Sequence, residues 1–372
     1  MTLEDNSIVR YFSDLPEHRI ERTRLHKLID IVFISLCSTL CGYDEWEEME
    51  LFAKTKEAWF RRFIELPNGI PSHDTLRRFW LQLDPEAFRC SFQNWIASLG
   101  IDTQDKIIAI DGKTLRGSGK RTQGNTPVHM VSAWLHENNL VIGQLATQEK
   151  SNEITAIPNL LEMLIIKGSV VTIDAMGCQT KIAQQVINQQ GDYVLGLKGN
   201  QGHLYEETRE FFETFEDNTW LDKHGSNHQT IDGDHGRVET RCYTAIASHY
   251  IESAAHWPGI KSVVMVKTEC HHSGNTRHDR RYYISSCTPD AKRLGHAIRS
   301  HWSIENKLHW SLDTCFFEDA CRSRMGHVAE NLAMLRHIAL NILKNSKFKA
   351  SLRKKRKRAA IDDAFLESLL FS

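Results

Sequence analysis

Apolar runs in the middle of the chain predict strands and helices in a fixed order, which restricts the fold more than any other feature. Between residues 105 and 218 the order is three strands, a helix, a strand, a helix, a strand and a helix. The strands are short apolar runs, predicted at residues 106–110, 128–134, 140–145, 169–173 and 192–197. Strands that alternate with helices in this way predict an α/β domain, with helices on both faces of one sheet.

This order of elements is that of a ribonuclease H-like fold, in which the first and fourth strands lie side by side at the sheet centre. Two aspartates end these strands. Asp111 follows the apolar run 107–110 and precedes Gly112, whereas Asp174 follows the run 170–173. An aspartate before a glycine is common in turns, but two aspartates at the ends of adjacent strands favour a functional site. We therefore expect Asp111 and Asp174 to be neighbours, although 63 positions separate them.

A third acidic residue, Glu305, lies beyond a segment of different character. Residues 219–288 lose the alternation of strands and helices and predict a β-rich insertion. Helical periodicity resumes at residue 290 and places Glu305 on a helix. Carboxylates are ligands that Mg²⁺ prefers, and the ion keeps coordination places for water and phosphate. If the three carboxylates meet in space, they can bind two ions that activate the attacking oxygen and stabilise the leaving oxygen in phosphoryl transfer.

The predicted architecture has four parts. Residues 105–218 and 289–345 form a ribonuclease H-like mixed sheet with flanking helices, interrupted by the β-rich insertion at 219–288. Residues 1–98 predict a helical N-terminal domain, which is either a reader of DNA ends of the helix-turn-helix kind or a bundle with a packing role alone. Residues 346–372 form a basic C-terminal segment.

Composition limits the partners. The formal net charge of the 372-residue chain is −1, so contacts with DNA must come from local basic patches. The nine cysteines are scattered and odd in number, which favours reduced thiols in a cytoplasm. The most apolar stretch, residues 28–41, is too short to cross a membrane and predicts a buried helix. No signal peptide is evident, so we expect no membrane partner.

Short motifs follow one another along nearly the whole chain. The three acids lie in Ala-Ile-Asp-Gly-Lys-Thr-Leu-Arg at 109–116, in Ile-Asp-Ala-Met-Gly-Cys-Gln at 173–179 and in His-Trp-Ser-Ile-Glu-Asn-Lys-Leu-His-Trp at 301–310. Four further motifs lie at residues 69–75, 149–154, 197–201 and 235–237. On these motifs the chain resembles insertion-sequence transposases of the H-repeat-associated, Rhs-linked type, which are DDE transposases with ribonuclease H-like cores.

The resemblance implies a reaction and its requirements. The protein would cleave the ends of an insertion element and join the freed 3′-hydroxyl to target DNA, with Mg²⁺ or Mn²⁺ bound by Asp111, Asp174 and Glu305. Its partner would be double-stranded DNA, both element ends and target, in the bacterial cytoplasm and at the nucleoid. Pairing of two element ends implies at least a homodimer.

The residues around Glu305 depart from the pattern of the wider family. Related transposases often place Tyr, Arg, Glu and Lys around the third acid. This chain has Ile298, His301, Glu305 and Leu312 at the corresponding offsets. Either His301 or Arg299 would then replace the arginine that contacts phosphate.

Basic residues near the acids are candidate DNA contacts. Those that follow strand ends on the predicted rim of the acids are Lys113, Arg116, Lys150 and Lys198. Solubilising surface charge is the simpler explanation of such residues, but carboxylates that bind metal and DNA need nearby cations to hold phosphates, which favours a contact role for Lys113 and Lys198. Contact with a carboxylate is a further alternative for Lys113 and Lys198. The remaining candidates in the matched motifs are Arg237, His301 and Lys307.

The C-terminal segment carries the densest positive charge. Residues 344–358 contain nine basic residues and no acid. Such a run is typical of a solvated or disordered tail. Apolar residues on both sides equally allow a helix with one basic face on DNA phosphates, in which Arg353, Lys354, Lys355 and Arg356 contact the backbone.

Other chemistry remains open at this point. His301, Glu305 and His309 are spaced i, i+4 and i+8 and share one helix face, a pattern that allows zinc. The histidines can equally hydrogen-bond to phosphate or to a core carbonyl. For the whole protein, the alternatives to a transposase are a catalytically silent, element-derived DNA-binding protein and a ribonuclease H-like nuclease that cuts without joining.

Overall fold

One nine-stranded sheet runs through the molecule. The structure is a computed structural model that describes residues 8–17, 19, 24–119, 126–147, 153–216, 219–234 and 237–371. The strands are β1 Ile107–Thr114, β2 His129–Leu135, β3 Leu140–Thr147, β4 Val170–Ile173, β5 Asp192–Leu197, β6 Ser226–Asp234, β7 Arg237–Ala247, β8 Ser262–His272 and β9 Asn275–Ser285. Their order across the sheet is β3-β2-β1-β4-β5-β9-β8-β7-β6.

The first five strands have the ribonuclease H-like arrangement that the sequence predicts. β1 pairs in parallel with β4, and β4 pairs in parallel with β5. β2 and β3 continue the sheet as antiparallel neighbours on the other side of β1. The predicted fold class, a mixed sheet with flanking helices, is therefore confirmed.

The prediction that Asp111 ends its strand is wrong. Parallel pairing with β4 ends at Ile110 and Ile173, but β1 continues because β2 remains beside it. Asp111 pairs with Ser132, and the ladder runs on to Thr114. Asp111 therefore lies at an internal boundary, where β1 loses one neighbour and keeps the other.

The β-rich segment extends the central sheet and does not form a separate one. β9 pairs antiparallel with β5, from Val194 opposite Ser285 to Leu197 opposite Tyr282. The sequence predicts only short pieces of β7, β8 and β9, and it does not indicate β6. The residues of β6 are largely polar and exposed because this strand lies at the sheet edge, so no apolar alternation marks it.

Helices cover both faces of the sheet. α6 Glu153–Glu162, α7 Thr180–Asn188, α8 Gly202–Thr214 and α9 Trp220–His224 share one apolar core with the strands. α10 Ala291–His301 packs on the opposite face, against β1, β4, β5, β6 and β7. α11 Trp310–Cys315 and α12 Val328–Asn345 follow, and α12 contacts β3 and the N-terminal helices.

The N-terminal region is helical, as the sequence indicates. It contains α1 Leu28–Cys41, α2 Trp46–Thr55, α3 Glu57–Phe60, α4 His73–Gln82 and α5 Pro85–Ser98. The Ser72 hydroxyl caps α4 by accepting from the N–H of Thr75. Leu76, Phe79 and Trp80 of α4 are buried, whereas its arginines are exposed. Among the described helices, none combines the length and the apolar character that a membrane crossing requires.

The basic C-terminal segment is folded onto the N-terminal helices. It forms α13 Leu352–Ile361 and α14 Asp363–Leu370. α14 buries four apolar residues in the same core as α1, namely Phe365, Leu366, Leu369 and Leu370. A solvated or disordered tail is therefore not the structure of residues 352–370.

Two of the predicted DNA contacts on α13 are interior residues. Arg356 is 5% exposed, and its guanidinium donates to both carboxylate oxygens of Asp44 at 2.7 Å and to the carbonyl of Thr39. Lys355 is 6% exposed and donates to the carbonyl of Leu343 at 2.7 Å. The assignment of Lys355 and Arg356 to the DNA backbone is wrong, because their charges are used to join helices.

Breaking the ion pair of Arg356 and Asp44 should lower the stability of the protein by a measurable amount. Arg356→Ala leaves the Asp44 carboxylate, which is only 16% exposed, without its partner, and breaking such a pair costs about 3 kcal/mol of unfolding free energy. We expect that loss in chemical denaturation at pH 7. Arg353→Ala is the matched control, since Arg353 is exposed on the same helix. Equal stability of the two variants would contradict the interior role of Arg356.

A buried acid on α1 should make stability depend on pH. Asp30 is 1% exposed, and burial raises its pKa from 3.8 to about 6. The folded state then binds this proton more tightly than the unfolded state, so its contribution to stability falls as pH rises from about 4 to 6. Asp30→Asn should raise the free energy of unfolding at pH 7.5 by about 2 kcal/mol. This figure is smaller than the full pKa shift implies, because solvent and Lys27 screen the charge of Asp30.

Denaturation of both proteins at two pH values checks this expectation. The difference between Asp30→Asn and the parent chain should become small near pH 4, where the parent carboxyl is protonated in the folded state and about half protonated in the unfolded state. A difference that stays the same at pH 4 and pH 7.5 would show that another property of the asparagine causes it.

Candidate active site

Side-chain alternation directs the first two acids to one face of the sheet. Ile110 of β1 and Ile173 of β4 both pack in the core under α6 and α7. Since successive side chains of a strand point to opposite faces, Asp111 and Asp174 turn to the other face, where α10 lies. The register Ile110↔Ile173 makes the next two positions neighbours. The expected proximity of Asp111 and Asp174 therefore follows from the observed pairing.

The loop after β4 fixes the carboxylate of Asp174. Its Oδ1 accepts hydrogen bonds from the backbone N–H of Met176 at 3.0 Å and of Gly177 at 3.3 Å. This is an Asx turn, which an aspartate after a strand forms readily. Both of these hydrogen bonds use Oδ1, so the turn leaves the second carboxylate oxygen of the exposed Asp174 able to accept another ligand.

Glu305 lies on an irregular part of its helix. α10 ends at His301, and the next turn, Ile304–His309, is a π-helix before α11 begins. The sequence predicts a continuous α-helix here. A π turn is rare and occurs often at functional sites, because it changes the direction of the side chains that it carries. The buried Ile304 and Leu308 hold the turn in the core and leave Glu305 exposed.

Hydrogen bonds connect the start of this turn to the sheet. The hydroxyl of Ser303 accepts from Nε1 of Trp134 at 3.1 Å and lies 2.8 Å from Nδ1 of His136. Trp134 is fully buried in β2, and His136 directly follows that strand. The helix that carries Glu305 is therefore fixed to the strand that pairs with β1.

One cavity brings the three acids together. It has a volume of about 520 Å³, and Asp111, Asp174 and Glu305 all contribute to its wall. Lys198 and Arg281 line it as well, so the cavity contains cations beside the carboxylates. The three acids come from β1, from the loop after β4 and from the π turn, and only the tertiary fold places them around one space.

Electrostatic effects within this cavity are large. Burial raises the pKa of Asp111 to about 7, and the negative charges of Asp174 and Glu305 add to the shift. Burial also raises the pKa of Glu305, with Asp174 acting in the same direction and Arg281 opposing it. Because this environment disfavours the charged forms of its carboxylates, a bound cation would be stabilising.

The three carboxylates are not arranged as a complete metal site in this structure. In the part of the chain that the structure describes, no three His, Cys, Asp or Glu side chains are close enough together to hold an ion. This applies to the three acids and to the zinc arrangement of His301, Glu305 and His309. The acids share a cavity, and their side chains must come closer together before all three can contact one ion.

The two histidines beside the acids are neutral side chains. Nδ1 of His301 lies 3.1 Å from Oγ1 of Thr172, and burial lowers the pKa of His301. His309 has its Nδ1 3.7 Å from Oδ2 of Asp111, and burial with the nearby charge of Lys113 lowers its pKa to about 3. His301 therefore does not supply the positive charge of the arginine that it was expected to replace.

Lys113 contacts carboxylates, which was one of its two predicted roles. Its ammonium lies 2.7 Å from Asp313, 3.0 Å from Glu318 and 3.0 Å from Asp319. Burial would lower the pKa of Lys113, but these acids raise it. With only 10% of its side chain exposed, Lys113 joins β1 to α11 and to the segment that follows it, and its assignment to DNA is wrong.

The other basic candidates differ in their surroundings. Lys198 is exposed and lines the acid cavity. Arg116 has 83% of its side chain exposed, with Nε 3.4 Å from Asp319. Lys150 lies outside the described residues. The candidates that remain exposed on other surfaces are Arg237, Lys307, Arg353 and Lys354.

Two features of the site were not predicted from the sequence. Arg281 of β9 lines the acid cavity beside Glu305, but it lies in a polar, charged stretch without a motif. Behind Asp111, the buried His129 and Glu153 form a close pair that fills the space beside Gly112. Glu153 belongs to a matched motif, so the motif was visible in the sequence although its place behind β1 was not.

Comparison with known proteins identifies the class and then the family. An acidic cavity on the central strands of a ribonuclease H-like sheet defines a nucleic-acid-processing class of proteins. The family model described as "Transposase DDE domain" matches residues 102–342, and a model described as "DDE_Tnp_1-associated" matches residues 9–96. The chain therefore belongs to the DDE transposase family, in its H repeat-associated type.

Curated relatives match over nearly their full lengths. "Putative transposase YncI" of Escherichia coli O157:H7 is 39% identical, and the match covers 98% of this chain and 95% of that protein. "H repeat-associated putative transposase YhhI" of Escherichia coli (strain K12) is also 39% identical, with 99% and 98% covered. A piggyBac transposase in a synaptic complex with hairpin DNA aligns with a TM-score of 0.46 and 9% identity, over 97% of this chain and 76% of that one.

The crowding behind Asp111 makes Gly112 a sensitive position. A Cβ at residue 112 would overlap the carboxylate of Glu153 and the ring of His129. Gly112→Ala should displace β1 and cost about 1–3 kcal/mol of unfolding free energy. We expect a lower unfolding temperature and slower processing of DNA by the variant. Gly233→Ala is the control, since a Cβ there meets nothing within 4 Å, and a Gly112→Ala protein as stable as this control would refute the crowding.

Proposed function

We propose that this protein is a metal-dependent DNA transposase that cleaves the ends of its element and joins the 3′-hydroxyl to target DNA. The observation that carries the proposal is the shared cavity of Asp111, Asp174 and Glu305 in a chain of the DDE transposase family. The substrate is double-stranded DNA in the bacterial cytoplasm. Joining both element ends requires at least two copies of the protein.

The residues of the cavity fit a divalent ion of the magnesium type. Three carboxylates provide hard oxygen ligands, and burial, together with the nearby charges of Asp174 and Glu305, raises the pKa of Asp111, so a bound cation would be favourable there. Asp111 and Asp174 would hold Mg²⁺ or Mn²⁺ between adjacent strands, and Glu305 would complete the set. When bound, such ions activate an attacking oxygen and stabilise a leaving oxygen on phosphorus.

The protein's own residues prepare the site for this chemistry. β1 and the Asx turn after β4 hold Asp111 and Asp174 with little freedom, because the sheet and two backbone N–H groups position them. Glu305 is exposed on a π turn and can approach the two aspartates as an ion and a phosphate enter. Lys198 and Arg281 can contact the non-bridging oxygens of the phosphate, which neutralises its charge during the reaction.

Conservative substitution of the acids tests the proposal. Asp111→Asn, Asp174→Asn and Glu305→Gln should each reduce Mg²⁺-dependent cleavage of element-end DNA by more than about 100-fold, since loss of even an outer partner of a metal costs 10–100-fold. Binding of the same DNA without metal should persist. Glu206→Gln, an exposed acid on α8, is the control and should cleave at the parent rate.

The form of the product separates the proposed activity from the alternatives. A labelled element end incubated with plasmid target should yield joined product when the protein is a transposase. Free 3′ ends without joined product would indicate a nuclease. End binding without any cleavage by the parent chain in Mg²⁺ or Mn²⁺ would indicate a silent DNA-binding protein, and each of these two results would overturn the proposal.

A further inference from the structure

A second cavity lies beside the acid cavity, on the β-rich half of the sheet. Its volume is about 720 Å³, and five arginines line it: Arg237, Arg241, Arg277, Arg281 and Arg299. Arg237 and Arg241 come from β7, Arg277 and Arg281 from β9, and Arg299 from α10. We call this space the arginine cavity.

The geometry of the strands puts these side chains on one face. In β7 and β9 the lining residues have odd numbers, and in β8 they have even numbers. The antiparallel register places Arg241 opposite Thr268, and Thr268 opposite Asp279, so the three sets lie side by side. The helix α10 covers part of this same face, at the end of the strands that lies nearer the core. Tyr243 and Val266 pack against α10 there. Beyond the helix the strands continue uncovered, and there they carry arginines.

The arginine cavity has more positive than negative charge. Arg241 pairs with Asp232 and Glu239, Arg237 with Glu239, and Arg281 with Asp279. Arg299 has its Nε 3.9 Å from Asp232. Within the described residues Arg277 has no ion-pair partner, so five guanidinium groups face three carboxylates. Arg237 and Arg299 keep 55% and 48% of their side chains exposed, so their charges are accessible to a ligand.

The arginine cavity and the acid cavity share a wall. Arg277, Arg281 and Trp302 line both spaces. The guanidinium of Arg281 lies over the ring of Trp302, 5.1 Å from its centroid, and acts electrostatically on Glu305. A polymer with a phosphate in the acid cavity can therefore pass over this wall into the arginine cavity without leaving the protein surface.

We propose that the arginine cavity binds the phosphodiester backbone of the DNA strand that continues from the bond in the acid cavity. The inference rests on the proposed function, because it assumes that DNA occupies the acid cavity. Guanidinium groups contact phosphate through paired N–H donors and remain charged at any physiological pH. Arg277 and Arg281 are four residues apart on β9, roughly 13 Å, which corresponds to the rise of about four base pairs along the axis of a DNA helix.

Removal of two arginines from this surface tests the inference. Arg277→Gln with Arg299→Gln leaves Arg281 and the acids unchanged, and both side chains lie away from the buried core. The full chain is titrated with fluorescent duplex DNA that carries the element end, in buffer without divalent metal, at several salt concentrations. We expect the slope of log K against log salt to fall by about 2, since each lost phosphate contact contributes about 0.9.

A control variant removes equal charge from the other face of the sheet. Arg209→Gln with Lys223→Gln changes α8 and α9, and it should keep the parent affinity and salt slope. Thermal unfolding shows whether each variant is folded as the parent is. An arginine-cavity variant that is folded and binds the duplex with the parent affinity and slope would overturn the inference.

DNA cleavage and DNA binding, measured for the parent chain, the arginine-cavity variant and Asp111→Asn, distinguish the two proposals. A parent chain that cleaves DNA while the arginine-cavity variant binds and cleaves equally well would remove this inference and leave the transposase proposal intact. A parent chain that never cleaves, but whose binding loses two salt-dependent contacts in the variant, would remove the transposase proposal and support the arginine cavity as a DNA site. Asp111→Asn should retain the parent salt slope, because its substitution removes no cation.

Discussion

The parallel pairing of β1 with β4 is the interaction on which the rest of the site depends. It ends at Ile110 and Ile173, and β1 alone continues beside β2. The two residues that follow these partners are acidic, and both turn toward the face of α10 because the preceding isoleucines fill the opposite core. The point at which this ladder ends therefore determines where the acid cavity forms. It also determines why the pKa of Asp111 is raised there and where Glu305 must lie to share the cavity.

Much of this arrangement could be predicted because it is encoded locally. The apolar runs before Asp111 and Asp174 are fully buried strands, and buried strands leave a clear signal in a sequence. Ser72 marked the start of α4 through its capping side chain. The proximity of Asp111 and Asp174 required one further step, the assumption that a known order of elements gives adjacent strands.

Other features depend on contacts between distant residues, which no local pattern reveals. Arg356 and Lys355 stand in a run of basic residues, and only the approach of Asp44 and the carbonyl of Leu343 makes them interior side chains. The exposed β6 lacks alternation because it lies at the sheet edge. The π turn at Glu305 arises from a hydrogen-bond shift within a helix, and the apolar period of that helix does not encode it. The arginines of the arginine cavity come from β7, β9 and α10, and only the fold brings these three elements together.

The helix α14 lies in the same core as α1–α5, so segments more than 250 residues apart in the chain belong to one folding unit. Trp59 donates to Glu367 at 2.9 Å, and Leu366 is fully buried among residues of α1 and its neighbours. During synthesis the first helices leave the ribosome long before the last one exists. The bundle must therefore wait for α14 before its core closes. A stop codon between Glu305 and α14 would spare all three acids and still leave the core of the N-terminal helices incomplete.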